Sequence, residues 1–268
     1  MGDTSGDDGR PAGGGPEAER TPTPGPANED GPAPSDPTTL ARELLERVRR
    51  REPTEPLLGA LADLDESALA AVGDDRRTGL AFWLDVYNAA AQRLLERRPG
   101  LFDSRWRFFR APAVTVAGVE LSLDDIEHGL LRGGRSKYGL GYLPRLGRTG
   151  LPGSYRLDPD PRIHFALNCG AASCPAILAY DPATVDDALD DATAAYLADT
   201  VEYDPERDRV RLPRVCLWFV GDFGGRSGLY TFLREFDQIP AEATPSLRFQ
   251  GYDWDLDPRK FVDRTREE

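Results

Sequence analysis

Scarce reactive side chains are concentrated in one segment of this sequence. The chain has two histidines and three cysteines, and all but Cys216 fall in the segment that runs from His128 through His164 and Cys169 to Cys174. Histidine is the usual proton carrier near neutral pH, and a cysteine thiolate is a strong nucleophile. If the protein catalyses a reaction, we expect its centre in this segment.

His128 lies in a predicted helix beside two carboxylates. Asp124 precedes it by four residues and Asp125 by three, so on a helix these carboxylates share its face or flank it. Such a contact fixes the tautomer of the ring and raises its basicity, as a general base requires. We therefore expect His128 to act as the base, oriented by Asp124 or Glu127. The alternative is a surface histidine in an acidic helix.

His164 belongs to a short apolar run, Ile163 to Leu167, which predicts a strand. Side chains alternate between the two faces of a strand, so His164 and Asn168 would share one face. A histidine and an amide on one face favour the wall of a substrate-binding cleft. The alternative is a hydrogen-bonded histidine in the core.

The two neighbouring cysteines have different predicted positions. Cys169 ends the predicted strand, and Gly170 leaves its sulfur open to approach. Cys174 precedes Pro175 at a predicted helix start, where the helix dipole lowers the pKa of a thiol. We expect Cys169 to be the nucleophile and Cys174 a resolving thiol or alternate nucleophile. Two small buried residues are the alternative, and Cys216, among apolar neighbours, is predicted to be core.

The strongest predicted helix runs from Thr78 to Arg98. Its apolar residues cover most of the circumference, so we expect a buried, central helix. Asp85 and Asn88 interrupt this apolar surface one turn apart. If buried, both must be hydrogen-bonded. They either hold neighbouring loops or line the cleft as substrate-binding residues.

The remaining elements mix helices and strands without βαβ regularity, which predicts an α+β fold. We expect a single globular domain over residues 38–262, with a small mixed or antiparallel sheet and helices around the central one. Ser122 and Asp125 form a predicted capping box. Residues 132–160 predict a long surface loop, as in functional lids. The other predicted elements are helices from Thr38, over Pro56–Val72, Val185–Ala198, 215–223 and 227–236, hairpins over 114–121 and 201–212, and a final strand from Leu247 to Leu256.

Composition separates the N-terminus from the rest. Residues 2–37 contain no Val, Ile, Leu, Phe, Trp or Tyr, so we predict a disordered, acidic, Gly/Pro-rich tail over 1–37. The net charge is −13, and Lys137 and Lys260 are the only lysines. An acidic, lysine-poor surface favours a halophilic archaeon as the source. Codon usage in a GC-rich genome is the alternative.

These features also limit the partners. The acidic balance argues against nucleic acid, which a basic surface must bind. No apolar run is long enough for a membrane span, and no signal peptide is visible, so we expect a cytoplasmic protein. The sequence lacks the Gly-rich phosphate-binding motifs, and we expect no cofactor and no metal. A small molecule or peptide is the expected ligand; the oligomeric state stays open.

Four motifs in order resemble the domain of unknown function 547 family, over about residues 40 to 258. The resemblance implies one α+β domain and assigns Asn88, Glu127, His128, His164, Cys169, Cys174 and Pro175 to the family pattern. The segment around Cys216 departs from it, since a more polar stretch would be expected there. The motifs are Phe82–Ala89, Leu123–Arg132, Arg162–Gly170 and Ser173–Pro175, with Trp218–Gly224 and Tyr252–Trp254 as closing segments.

The sequence therefore favours a cysteine-dependent hydrolase or transferase for a small acyl, thiol or peptide substrate. Catalysis would use Cys169, Cys174, His128 and Glu127, and His164, Asn168, Asn88 and Asp85 would bind substrate. Two other hypotheses stay open. One is a non-catalytic binding or scaffold module, in which these polar residues join helix ends. The other is a structural zinc domain that uses both histidines with Cys169 and Cys174.

Overall fold

A buried helix forms the centre of the fold. This helix, α4, spans Arg76–Arg97, and every residue from Gly79 to Gln92 is buried. The Asp75 carboxylate caps its start by accepting a hydrogen bond from the backbone N–H of Thr78, an interaction worth about 1 kcal/mol. The prediction of a central helix that is apolar on most sides is confirmed.

The computed structural model describes residues 36–147 and 149–262. Except for its last two residues, the predicted tail over 1–37 lies outside them. No helix in the described ranges is both long and apolar enough to cross a membrane. The helices are α1 (Pro37–Arg50), α2 (Glu55–Ala62), α3 (Glu66–Asp74), α4, α5 (Arg105–Arg110), α6 (Val185–Thr200), α7 (Val215–Trp218) and α8 (Gly225–Glu235). A π-helix covers Asp125–Leu131, and 3₁₀ helices cover Pro99–Leu101, Gly153–Tyr155 and Pro161–Phe165.

Two small sheets complete the fold. The strands are β1 (Pro112–Val116), β2 (Val119–Ser122), β3 (Glu202–Asp204), β4 (Arg209–Leu212) and β5 (Ser246–Phe249). β1 and β2 form an antiparallel hairpin, whereas β3 and β4 pair antiparallel and β5 joins β4 in parallel. The fold is α+β with small sheets, as predicted.

Several predicted boundaries are wrong. The helix predicted over Pro56–Val72 is two helices, because Asp65 caps a new start at α3. The final strand ends at Phe249, and the helix predicted over 215–223 ends at Trp218.

The predicted strand at Ile163 is also wrong. Residues Pro161–Phe165 form a 3₁₀ helix, with proline near its start and the Asp160 carboxylate accepting from the backbone N–H of Arg162. The argument that His164 and Asn168 share a strand face therefore fails. Ile163 packs in the larger hydrophobic cluster, around α4, and Phe165 packs in a smaller one.

The predicted helix start at Cys174 is absent from the structure as well. The backbone N–H of Cys174 closes a turn on Ala171, and Ile177 bonds instead to the backbone of Lys260 near the C-terminus. Cys174 therefore has no helix dipole to lower its pKa. Cys216 is fully buried in the smaller cluster, which confirms its predicted place in the core.

Candidate functional site

One pocket collects most of the predicted reactive residues. It encloses about 430 Å³ and is lined by Glu127, His128, His164, Cys169 and Cys174. Such a volume is typical of small-molecule sites. Aromatic side chains form much of the remaining wall: Phe109, Tyr196, Trp218, Phe219, Tyr252 and Trp254. The pocket is thus largely apolar, with a few polar groups concentrated in it.

Asp85 and Asn88 do not line this pocket; they hold the segment that does. The Asp85 carboxylate accepts from the backbone N–H of Tyr180 at 3.0 Å. The Asn88 amide donates to the carbonyl of Ala166 and accepts from the N–H of Asn168. Both side chains project from buried α4: Asn88 fixes the loop that carries the cysteines to the centre of the fold, and Asp85 fixes the chain beyond it at Tyr180.

Asn168 also supports the cysteine loop from outside the pocket. Its side chain donates to the carbonyl of Pro175 at 2.6 Å and accepts from the N–H of Gly170 at 2.8 Å. Gly170 has φ +90°, and a Cβ there would lie 2.3 Å from Leu95 Cδ1. This glycine lets the chain reverse against α4, which brings Cys174 back to Cys169.

The two sulfurs are in contact. The Sγ atoms of Cys169 and Cys174 lie 3.2 Å apart, and the backbone N–H of Cys169 donates to Cys174 Sγ at 3.2 Å. The hydroxyl of Tyr252 lies 3.3 Å from the same sulfur. Hydrogen-bond donors therefore surround Cys174 Sγ. Both cysteines are buried, and neither forms a disulfide bond.

These contacts separate the acidities of the two thiols. Burial raises the pKa of Cys174, but hydrogen bonds from Cys169, Tyr252 and the backbone outweigh it, and the net pKa is lowered. The hydrogen bond to Cys174, together with burial, raises the pKa of Cys169. Hydrogen bonds to the charged form favour that form. These shifts favour the thiolate form of Cys174 and the protonated form of Cys169.

Glu127 is a buried carboxyl group in the same pocket. Burial raises its pKa to about 7, against the opposing effect of the Arg132 guanidinium. The hydroxyl of Tyr87 donates to its Oε2 at 3.4 Å. Since its pKa lies near neutral pH, Glu127 can both accept and release a proton there.

His128 is held by a cation rather than by a carboxylate. Nη1 of Arg132 lies 2.9 Å from Nδ1 of the ring, whereas Glu127 and Asp124 oxygens lie 3.5 and 3.6 Å away. A guanidinium can only donate, so Nδ1 accepts and the ring proton sits on Nε2. Burial, then the Arg132 charge, lowers the pKa of His128 well below its usual value. The ring is neutral near pH 7.

His164 belongs to a buried ion-pair network. Its Nε2 lies 2.9 Å from the Asp222 carboxylate, and Arg132 binds the same carboxylate through two nitrogens at 2.6 and 3.1 Å. The ring of His164 stacks on Phe219 at 4.4 Å. Burial lowers the pKa of His164, although Asp222 opposes this shift. His164 thus lines the pocket from a rigid position.

Asp124 Oδ1 accepts no hydrogen bond from a described residue, although His128 Nε2 lies 3.6 Å away. This oxygen is buried without a hydrogen-bond partner, while Lys137 binds Oδ2. Lys137 and Tyr138 come from the predicted 132–160 loop and line the pocket with Asp124. A buried acceptor without a partner is costly, so a ligand that donates a hydrogen bond there would be stabilised.

A second cavity reaches Cys174. It encloses about 860 Å³ and shares Cys174, Pro175, Tyr196 and Tyr252 with the first pocket. Its other wall is a groove along α6, lined by the half-buried residues Ala188 and Ala192. Cys174 therefore borders both cavities, whereas Cys169 lines the aromatic pocket.

No three or more His, Cys, Asp or Glu side chains within the described ranges are arranged to hold a metal ion. His128, His164, Cys169 and Cys174 line one pocket. However, Arg132 is hydrogen-bonded to Nδ1 of His128, and Asp222 is hydrogen-bonded to Nε2 of His164. The four-ligand zinc hypothesis gains no support from this geometry.

Sequence reasoning missed three contributors to the site. Tyr252 contacts Cys174 from 78 residues along the chain, Asp222 pairs with His164, and Arg132 holds His128. Nothing in local periodicity marks the two long-range contacts, whereas Arg132 follows His128 by four residues, the spacing of one helical turn. The family resemblance included all three segments, and for the two long-range contacts it was the one available signal.

Comparison with known proteins agrees with that resemblance. No curated protein and no solved structure matches the chain significantly. Residues 74–197 match the family model described as "Protein of unknown function, DUF547", a range that contains α4, the π-helix and both pocket cysteines. Over residues 74–197 the chain is therefore similar to the domain of unknown function 547 family.

Proposed function

We propose that the protein is a cysteine-dependent acyl transferase with Cys174 as its nucleophile. The observation that carries this proposal is the ring of donors around Cys174 Sγ, from Cys169 and Tyr252, inside a pocket that also holds Glu127. A thiolate stabilised by hydrogen bonds in an accessible pocket is the typical state of a catalytic cysteine. The nucleophile is therefore Cys174 rather than Cys169.

The first step forms a thioester. Cys174 Sγ attacks the carbonyl carbon of the acyl donor, the bond to the leaving group breaks, and the leaving group takes a proton from the Glu127 carboxyl. In the second step the acceptor gives its proton to Glu127 and attacks the thioester, which releases the Cys174 thiolate. A carboxyl group with pKa about 7 suits both transfers.

We assign the proton transfers to Glu127 rather than to His128. The neutral His128 ring accepts from Arg132 at Nδ1 and carries its proton on Nε2, and a second proton on this buried ring is disfavoured. His128 is better suited to donate a hydrogen bond from Nε2, which lies 3.6 Å from Asp124 Oδ1, than to carry protons between the reactants. Asp124 Oδ1, which has no described partner, is suited to a substrate donor.

Transfer, rather than hydrolysis alone, is favoured by the two cavities at Cys174. A transferase must give a donor and an acceptor access to the same sulfur. The aromatic pocket provides one binding surface and the α6 groove the other. We propose that the acyl donor binds in the aromatic pocket, where Glu127 can protonate the leaving group.

A trapping experiment tests this function. Incubation with p-nitrophenyl acetate at about pH 7 should leave an acetyl group on Cys174, detected by intact mass and peptide mapping. Glu127→Gln should slow loss of this group, since general acid–base catalysis contributes roughly 10²-fold or more.

The matched controls are two cysteine substitutions. Cys174→Ala should abolish acetylation, whereas Cys216→Ala removes a thiol from the core and should leave it unchanged. Acetylation of Cys169 in place of Cys174, or no thioester in a folded protein, would overturn the proposal.

A further inference from the structure

We infer that Cys169 and Cys174 also act together as a dithiol that reduces small disulfides. This inference rests on one part of the proposed function, the nucleophilic thiolate of Cys174, but it needs no acyl chemistry. It gives Cys169 a reacting role that acyl transfer does not require.

The distance between the sulfurs carries the inference. They lie 3.2 Å apart, and a disulfide bond is about 2.05 Å long, so closure needs about 1 Å of relative movement. Four residues lie between the two cysteines, and the chain turns at Gly170 so that the two sulfurs meet. A pair placed in this way can form an internal disulfide without rearranging α4.

The two thiols have the asymmetry that a two-step exchange needs. Cys174 is the thiolate that attacks, and Cys169 keeps its proton through its hydrogen bond to that thiolate. Once Cys174 carries a mixed disulfide, its negative charge is gone, and the largest cause of the raised pKa of Cys169 disappears, while the effect of burial remains. Cys169 can then ionise and attack, so the first step prepares the second.

The exchange balances in atoms and electrons. Cys174 Sγ attacks one sulfur of the substrate disulfide, an S–S bond forms, and the first substrate thiolate leaves. Cys169 then loses its proton to Glu127, attacks Cys174 Sγ and displaces the second thiolate. The substrate gains two electrons and the protein dithiol loses two. A thiol reductant returns the internal disulfide to the dithiol.

The pocket indicates which disulfides can enter. Both sulfurs are buried, with 7% and 6% of each residue exposed, so a disulfide of a folded protein would not reach them without opening the site. The aromatic wall of Trp218, Phe219 and Tyr252 favours a small disulfide with aromatic or apolar substituents.

An aromatic disulfide, dithiobis(nitrobenzoate), tests the inference with the folded, reduced protein. The wild-type chain should release two thionitrobenzoate molecules at this site and finish with a Cys169–Cys174 disulfide and no adduct, as shown by absorbance and peptide mapping. Cys169→Ser should release one and retain a mixed disulfide on Cys174. Cys216 is fully buried and serves as the internal reference thiol.

The outcomes separate this inference from the proposed function. A stable mixed disulfide on Cys174 of the wild type would overturn the dithiol reaction but leave Cys174 as a nucleophile. No reaction at Cys174 in either protein would overturn both. If Cys169→Ser does not fold, rapid mixing of the wild type decides, because the inference requires a transient adduct followed by a second release.

Discussion

At Cys174, two opposing effects act on one sulfur atom. Burial disfavours the thiolate, and the donors on Cys169 and Tyr252 favour it. Hydrogen bonds to a charged group are worth about 1.5–3 kcal/mol each, and several of them outweigh the loss of hydration. The low pKa of this thiol therefore depends on individual contacts that substitution can remove one at a time.

Tyr252→Phe removes one of these donors and should raise the pKa of Cys174. The loss of one hydrogen bond to the thiolate should move the pH profile of iodoacetamide alkylation upward by about one pH unit. Alkylation rates at Cys174, followed by peptide mapping across pH, measure this directly.

Tyr196→Phe is the matched control. Tyr196 lines the same pocket, but its hydroxyl donates to the carbonyl of Ser173 at 2.8 Å. Removal of the Tyr196 hydroxyl should leave the pH profile of Cys174 alkylation unchanged. Equal shifts in both variants would mean that pocket polarity, rather than the Tyr252 hydroxyl, sets the acidity.

At the scale of the elements, long periodic segments were predictable and short ones were not. The apolar surface of α4 covers most of its circumference, which identifies a buried helix from sequence alone. The five-residue run at Ile163 was ambiguous, because a short apolar run fits a strand or a buried helical turn. Asp160 and Pro161 determined the outcome by starting a 3₁₀ helix. Cys174 was predicted to be activated by a helix dipole, whereas side-chain and backbone donors replace that dipole.

Gly170→Ala should disrupt the turn that pairs the cysteines. The residue has φ +90°, and its new Cβ would lie 2.3 Å from Leu95 Cδ1. A left-handed conformation costs an alanine roughly 1–2 kcal/mol, and the contact with Leu95 adds to this cost. Urea unfolding should show a loss of at least about 1 kcal/mol, and alkylation of Cys174 should slow.

Gly59→Ala provides the opposite case in the same protein. Gly59 lies inside α2, and a Cβ there meets nothing within 4 Å. Alanine should stabilise the fold by up to about 1 kcal/mol through helix propensity and leave Cys174 unchanged. If Gly170→Ala behaves like Gly59→Ala, the turn is not what aligns the sulfurs.

At the scale of the whole molecule, the site is assembled from distant parts of the chain. α4 fixes the cysteine loop, the π-helix supplies Glu127 and His128, and the segment after β5 supplies Tyr252. The sequence could group the histidines and cysteines because they are scarce and close in order. It could not place Tyr252 or Asp222 against them, since those contacts depend on tertiary packing. The lowered pKa of Cys174 is accordingly a property of the folded chain.

The pH dependence of stability follows from the same shift. The folded-state pKa of Cys174 is depressed. The stabilising contribution of its thiolate to the free energy of unfolding is therefore fully present above the unfolded-state pKa of about 8.5. It is lost as the pH falls through the folded-state value.

Ultraviolet titration of the thiolate tests the central claim most directly. The native protein should gain the absorbance of one thiolate below about pH 8, and this step should vanish in Cys174→Ser and in the protein unfolded by urea. The core thiol variant Cys216→Ala should retain it. A native protein whose first thiolate appears only above about pH 8.5, or whose early step survives Cys174→Ser, would contradict the assignment of Cys174 as the activated nucleophile.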